Sequence, residues 1–303
     1  MKLQKFLERL AYTNTTVAQR TIDSARLLPG ERRDQKWNQN ACFAREDDVL
    51  STMNLHVLPG DAQVQEFAES GIDGEMLVCR ECLVEGDLSG ADLHEFFKNR
   101  AAFINSGYHE ARATYDSRVA SQFKSLLHLA ADTEVNLWFE YELFCSVNMW
   151  FCLDLLADTA ADVYRVAPVH LNVEHRWDGF GGATGEILRR CFESRTRLTR
   201  DEIRLGADLW RAYKADDRDA LRRLSAASSP AFPYLKEVCQ AAIDKNSRPA
   251  EVIRQIQAGG ASHFAEIFRE FRHRAGVYGF GDGQVKALMD AAPPASDDRE
   301  RNG

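Results

Sequence analysis

Val135-Asn136-Leu137-Trp138-Phe139-Glu140-Tyr141-Glu142 is an apolar, β-branched and aromatic run that ends in two carboxylates. Its composition predicts a buried strand over 135–140. Ligands of open α/β sheets bind just beyond the carboxyl ends of the strands. The same eight residues therefore predict a structural element and the location of a site.

Three further runs of this kind surround it. Leu55-His56-Val57-Leu58-Pro59, Met76-Leu77-Val78-Cys79 and Val163-Tyr164-Arg165-Val166-Ala167 are short and apolar, and each predicts a buried strand. Helical patterns separate them. Residues 62–70 form one, with Gly71 as its stop signal. Tyr108, Ala111, Tyr115, Val119, Phe123 and Leu126 recur every three or four positions along a second. Residues 144–156 are nearly all apolar, which predicts a helix buried on more than one side. Strands that alternate with helices imply parallel pairing. The expectation is a Rossmann-like α/β domain over 53–170 with a mostly parallel sheet of about four strands.

Beyond it the pattern changes. A Gly-rich connection spans 171–184, with GFGGATGE at 179–186, and a helical domain follows over 185–290. Leu198-Thr199-Arg200-Asp201-Glu202-Ile203 carries a capping box and a hydrophobic staple. Further helix starts fall at Asp216 or Asp217, Pro233, Ser247, Ser262 and Asp282. Residues 291–303 are polar and predict a disordered tail. At the other end, residues 1–52 combine an amphipathic helix (Leu3, Phe6, Leu7, Leu10) with a charged stretch lacking periodicity. They read as an upstream extension before Met53 or as a regulatory or oligomerisation arm.

Composition limits the function. The chain has 303 residues, 45% of them hydrophobic and 28% charged, and a formal charge of −8. That balance is of a soluble globular protein and argues against a nonspecific nucleic-acid surface. No membrane span and no signal peptide are read, so a cytoplasmic location is expected. The seven cysteines are expected to be reduced and buried, Cys79-x-x-Cys82 included, because a single such pair without a second pair or a nearby His is not a zinc signature.

Asp61, Arg80, Glu81, Glu140 and Glu142 follow three of the expected strands. If those strands are parallel neighbours, the five residues converge on one sheet edge. Glu140, Glu142 and Glu81 are the candidate catalytic residues; Gly60, Asp61 and Arg80 are the candidate ligand-binding residues. Carboxylates grouped there could hold Mg²⁺, bind an amine or ribose hydroxyls, or work as an acid/base pair. Arg80 could neutralise a phosphate. Each also has a plain structural role open to it: Asp61 suits the N-cap of the 62–70 helix, and Glu142 lies near the start of the 144–156 helix.

Other features of the chain have simpler structural roles open to them. The glycine-rich loop could cradle phosphate, but it lacks a P-loop lysine and reads as a hinge. His170, Glu174, His175 and Asp178 have metal-ligand residue types without an established spacing. His56 reads as a core or edge histidine. The short helices of 247–291 are compatible with a DNA-reading module using Arg269, Arg272, Arg274 and Lys286, although a packing or oligomerisation role fits their charge better. The favoured expectation is an enzyme acting on a small polar or phosphorylated molecule at the strand ends. The alternative is a ligand-sensing regulator whose last helices contact DNA or protein.

LHVLPGD at 55–61, GEMLVCRECLVEG at 74–86, NLWFEYELF at 136–144, TRDEIRLGADLWRAYKADDRDAL at 199–221 and YGFGDGQV at 278–285 together resemble a bacterial family catalogued as domain of unknown function 1835, with its uncharacterised helical C-terminal domain. The resemblance covers roughly 53–290. It implies the fold just described and implies no reaction. Three motifs depart from the family pattern. Ala62 stands where the family has Ser after Gly-Asp, and Arg80 where it has Trp before the acidic residue. Tyr141 and Glu142 replace a His-Asp pair, so any chemistry carried by that pair differs in this chain.

Overall fold

A computed structural model of the chain describes residues 53–108, 112–171 and 175–291. The expectations placed on 1–52, on Ala111 and Glu174, and on the tail beyond Ala291 lie outside the described residues. The first half alternates as expected: β1 (Asn54–Leu58), a 3₁₀ turn (Asp61–Gln63), α1 (Val64–Glu69), β2 (Glu75–Val78) and α2 (Leu93–Tyr108). Two short helices, α3 (Arg112–Tyr115) and α4 (Ser121–Ser125), flank a π-helical turn. Then come β3 (Glu134–Trp138), α5 (Leu143–Leu156) and β4 (Asp162–Val166). The second half is helical: α6 (Gly185–Glu193), α7 (Arg200–Lys214), α8 (Arg218–Leu224), α9 (Leu235–Asp244), α10 (Arg248–Ala258), α11 (Phe264–Ala275) and α12 (Asp282–Ala291).

The sheet runs β2-β1-β3-β4-β5, with β1 to β4 parallel. The fifth strand, β5 (Thr196–Arg197), pairs antiparallel with β4 and was not expected. Two exposed polar residues between helices carry no hydrophobic alternation, so nothing in the sequence marks them as a strand. A second difference concerns β3, which ends at Trp138, two residues short of the expected boundary. Phe139 to Glu142 lie beyond the ladder, where side chains are free of the two-residue alternation.

Alternation distributes the strand side chains over two cores. Leu55, Val57, Leu77, Val135, Leu137 and Val163 face the larger one, which includes α5 and most helices of the second half. Leu58, Trp138 and Val166 face a smaller one closed by Phe67 of α1, Phe180, and Leu188 and Cys191 of α6. His56 lies on this second face. Its Nδ1 accepts from Trp138 Nε1 at 3.1 Å, and its Nε2 lies 3.2 Å from the Asp73 carbonyl. It is a core histidine. Burial pushes its pKa down to about 4.

Helix α5 is buried on nearly every side, as its composition requires, and joins the halves by packing along α7. Gly206 of α7 makes this approach close: a Cβ there would fall 2.3 Å from Leu153 Cδ1. Thr199 and Glu202 form the expected capping box, with Leu198 and Ile203 both buried beside it. Asp217 and Ser247 occupy the expected N-cap positions, whereas α11 is capped by His263, one residue later than expected. Cys79, Cys82, Cys145, Cys152, Cys191 and Cys239 are free and buried. Among the described residues no helix is long and apolar enough to cross a membrane.

Candidate functional site

Strand order locates the site more sharply than strand existence. From β1 the chain moves outward to β2, then crosses back over β1 to β3 and continues away to β4. The direction of winding reverses between β1 and β3, and in doubly wound sheets ligands bind at the carboxyl end of that reversal. The residues following β1 and β3 are Gly60-Asp61 and Phe139 to Glu142. The five expected site residues do stand beyond the carboxyl ends of three adjacent strands, but they divide among three sets of partners.

Asp61 and Arg80 form the first set. The Arg80 guanidinium grips the Asp61 carboxylate through Nη2 at 2.7 Å and Nε at 2.9 Å. Asp61 therefore does not cap α1; the N-cap is Gln63, without a side-chain bond. A bidentate arginine–carboxylate pair outcompetes a single cap hydrogen bond. Arg80 in turn is committed to a carboxylate rather than presented to an incoming anion. Gly60 has open space around its Cα.

The second set surrounds Glu81. Arg100 Nη2 donates to Glu81 Oε2 at 2.7 Å, the Tyr115 hydroxyl donates to Oε1, and the Cys82 N–H donates to Oε2 at 3.0 Å. Arg100 also donates to the carbonyls of Glu85 at 2.6 Å and Cys82 at 3.1 Å. The side chains of the ion pair are 0% exposed. Burial, reinforced by the Glu81 charge, pushes the Tyr115 phenol well up. Every oxygen of Glu81 is engaged within the fold, which is the arrangement of a structural anchor holding the loop after β2.

Glu140 and Glu142 form the third set, with Cys145. Ligand atoms of all three lie within 4.8 Å of one another. Glu142 is the N-cap of α5, its Oε1 accepting from Cys145 N at 3.0 Å. Glu142 Oε2 is buried and has no hydrogen-bond partner. Glu140 Oε1 accepts from Phe180 N at 2.5 Å, while its Oε2 lies 3.9 Å from Cys145 Sγ. Two glycines press on the pair. A Cβ on Gly179 would sit 1.6 Å from Glu140 Cδ, and one on Gly279 2.4 Å from Glu142 Cγ. Arg165 is buried beside them, donating to the carbonyls of Glu140 (3.3 Å) and Ala231 and stacked 4.9 Å over the Tyr141 ring. Beside Glu142 a cavity of about 20 Å³ is walled by Trp177, Asp178, Arg272 and Gly279, with Asp178 and Arg272 paired at 2.6 Å.

This setting disfavours charge on the carboxylates. Burial, then the neighbouring Glu142, raises Glu140 to about 8, against the opposing pull of the Phe180 N–H. Burial also raises Glu142, opposed by the Cys145 N–H, and raises the Cys145 thiol. A consequence for stability follows. A carboxyl with a raised folded-state pKa holds a proton that the unfolded chain has lost, so stability falls as pH rises from about 4.5 to about 8. His56 acts oppositely between about 4 and its ordinary 6.5, where the unfolded chain binds the extra proton. The two effects offset each other below about 6.5. Above it only the carboxyl contribution remains, at roughly 1.4 kcal/mol per pH unit for one retained proton. Urea unfolding with chelator present should show stability declining from pH 6.5 to 8, and a shallower decline for Glu140→Gln. A wild-type profile that rises across this window would contradict the assignment.

The remaining sequence candidates resolve separately. The glycine-rich loop supplies Gly179 and Phe180 against Glu140, and Thr184 caps α6. It is a wall of the carboxylate cluster. His170 bonds Ser194 at 2.6 Å, and His175 packs edge-on to His273; these two do not form a ligand group. Arg272, Arg274 and Lys286 are paired with Asp178, Glu270 and Asp290. Sequence reasoning did not single out Cys145, Arg165, Asp178 with Arg272, or Gly279 as neighbours of the carboxylates. Two had a local signal: an arginine inside the apolar run 163–167, and the Glu142-x-x-Cys145 spacing, which puts both residues on the first turn of α5. The pairing of Asp178 with Arg272 and the approach of Gly279 are long-range and had none.

Comparison with family models, curated proteins and solved structures gives no match for this chain.

Proposed function

We propose that the protein is an enzyme whose reactive centre is the Glu140–Glu142 cluster, working on a small, polar, uncharged or cationic molecule. The observation that carries this reading is the unpartnered, buried Glu142 Oε2. Leaving a buried acceptor unsatisfied costs roughly 1–3 kcal/mol, a cost that binding of a donor would recover. It lies near the reversal of strand order, where doubly wound sheets place their ligands, and the cavity of about 20 Å³ beside it has room for one water-sized group of a ligand.

The charge balance narrows the substrate. Arg80 is held by Asp61 and Arg272 by Asp178, so neither cation is offered to a phosphate. The two carboxylates, with Glu142 Oε2 lacking a donor, favour an amine, an amide or a hydroxyl instead. Of the residues expected to be catalytic, Glu140 and Glu142 keep that role in this proposal, and Glu81 becomes the anchor of the adjoining loop. A regulator reading DNA through the last helices draws little support, because three of its four basic residues, Arg272, Arg274 and Lys286, are paired with acids.

A thermal-shift screen of sugars, amines, amino acids, nucleosides and their phosphates tests the proposal. A ligand that binds the folded state raises its melting temperature, by about 2.7 kcal/mol of stability at a hundredfold excess over Kd. The expected result is stabilisation by an unphosphorylated compound, lost in Glu142→Gln. Stabilisation by phosphates alone, or a shift that survives Glu142→Gln, would refute it.

A further inference from the structure

We infer that Glu140, Glu142 and Cys145 form a three-ligand site for a zinc-class divalent ion, resting on the reading of this cluster as the reactive centre. The ligand atoms lie within 4.8 Å of one another; a tetrahedral ion bonded at about 2.0–2.3 Å holds its ligands roughly 3.3–3.8 Å apart, so the three side chains close by about 1 Å on binding. Each carboxylate is oriented as metal-binding carboxylates are, with one oxygen held by a hydrogen-bond donor. Phe180 N holds Glu140 Oε1, and Cys145 N holds Glu142 Oε1. The second oxygens are Glu140 Oε2, turned toward Cys145 Sγ, and Glu142 Oε2, buried without a partner. The latter is a buried acceptor without a hydrogen-bond partner, an observation separate from the clustering of the three residues.

Donor type and space both select the ion. A thiolate with two carboxylates suits zinc, whereas Mg²⁺ takes oxygen ligands only. Mg²⁺ also retains several waters, and the adjoining cavity of about 20 Å³ holds about one. Three protein ligands and one water make the open tetrahedral arrangement of catalytic zinc sites. Binding releases the Cys145 thiol proton and any proton held by the carboxylates to solvent. The bound ion with two carboxylates and a thiolate carries a net charge of −1, which the buried Arg165, bonded to the Glu140 carbonyl, offsets.

The test uses the full chain, stripped with chelator and titrated with Co²⁺ as a spectroscopic substitute for zinc. The expected result is a sulfur-to-cobalt charge-transfer band saturating at one equivalent, abolished by added Zn²⁺ and absent from Cys145→Ser. In Glu142→Gln, affinity should fall at least roughly tenfold, the lower end of the loss caused by removing even an outer-shell partner. Cys145→Ala provides the same measurement should the serine variant fail to fold. A wild-type protein without the band, or a band unchanged by Cys145→Ser or Cys145→Ala, would overturn the inference. The two readings fail separately. Loss of the cobalt result with an organic ligand still stabilising the wild type leaves the carboxylate enzyme standing without its metal.

Discussion

Arg100→Met is expected to destabilise the protein by about 3–5 kcal/mol, the cost of breaking a buried ion pair by removing one partner. The size of the effect comes from what is left behind. Methionine fills the volume of the arginine stem, so little packing is lost. The Glu81 carboxylate, however, remains enclosed with only the Tyr115 hydroxyl and the Cys82 N–H as donors. The carbonyls of Glu85 and Cys82 lose their donor as well. Against a total stability of typically 5–15 kcal/mol, this is a large fraction. Urea unfolding of the variant measures it. Adding Glu81→Gln to Arg100→Met should recover part of the loss, because the stranded charge is then removed too. A single-variant cost below about 1 kcal/mol would mean that Glu81 is not held as an ion.

Gly179→Ala is the second change with a large expected effect, and it acts on the site rather than on the loop after β2. Its Cβ would fall 1.6 to 2.2 Å from the three atoms of the Glu140 carboxylate group. No rotamer adjustment of alanine relieves this, so Glu140 must leave its place and give up the Phe180 N–H. Overpacking of this kind costs about 1–3 kcal/mol. Cobalt binding and ligand-induced stabilisation should be lost as completely as in Glu140→Gln. The cause is separable from a general loop defect by a double-mutant cycle. Adding Glu140→Ala removes the clash, so Gly179→Ala should cost almost nothing in that background. An equal cost in both backgrounds would show that Glu140 is not what Gly179 accommodates. Gly279 plays the matching part for Glu142, with the further constraint of a left-handed φ of 66°.

These two changes also mark where the sequence stopped being informative. Residues 55–58, 76–78 and 135–138 announce themselves as strands because burial on both faces demands apolar side chains at nearly every position. Thr199 and Glu202 announce a helix start because a cap is a bond between residues three apart. Glu81 looked no different from Glu140: each is an acid after an apolar strand. The difference between them is Arg100, nineteen residues on, and Tyr115, thirty-four residues on, neither of which any local pattern ties to Glu81. Asp61 suited a helix cap by position, and Arg80 claimed it instead.

The sequence by itself determined the α/β class, the parallel alternation and the placement of carboxylates after the strands, because those properties depend on side chains within one or two turns of each other. Tertiary structure alone decided the strand order, and with it the reversal between β1 and β3. It also decided which carboxylates keep company. Arg100 neutralises Glu81, Arg80 neutralises Asp61, and Glu140 and Glu142 are left facing Cys145 in a pocket that disfavours their charge. Electrostatic energy depends on distance through space and on the water excluded along it, and neither quantity is written in the order of residues along the chain.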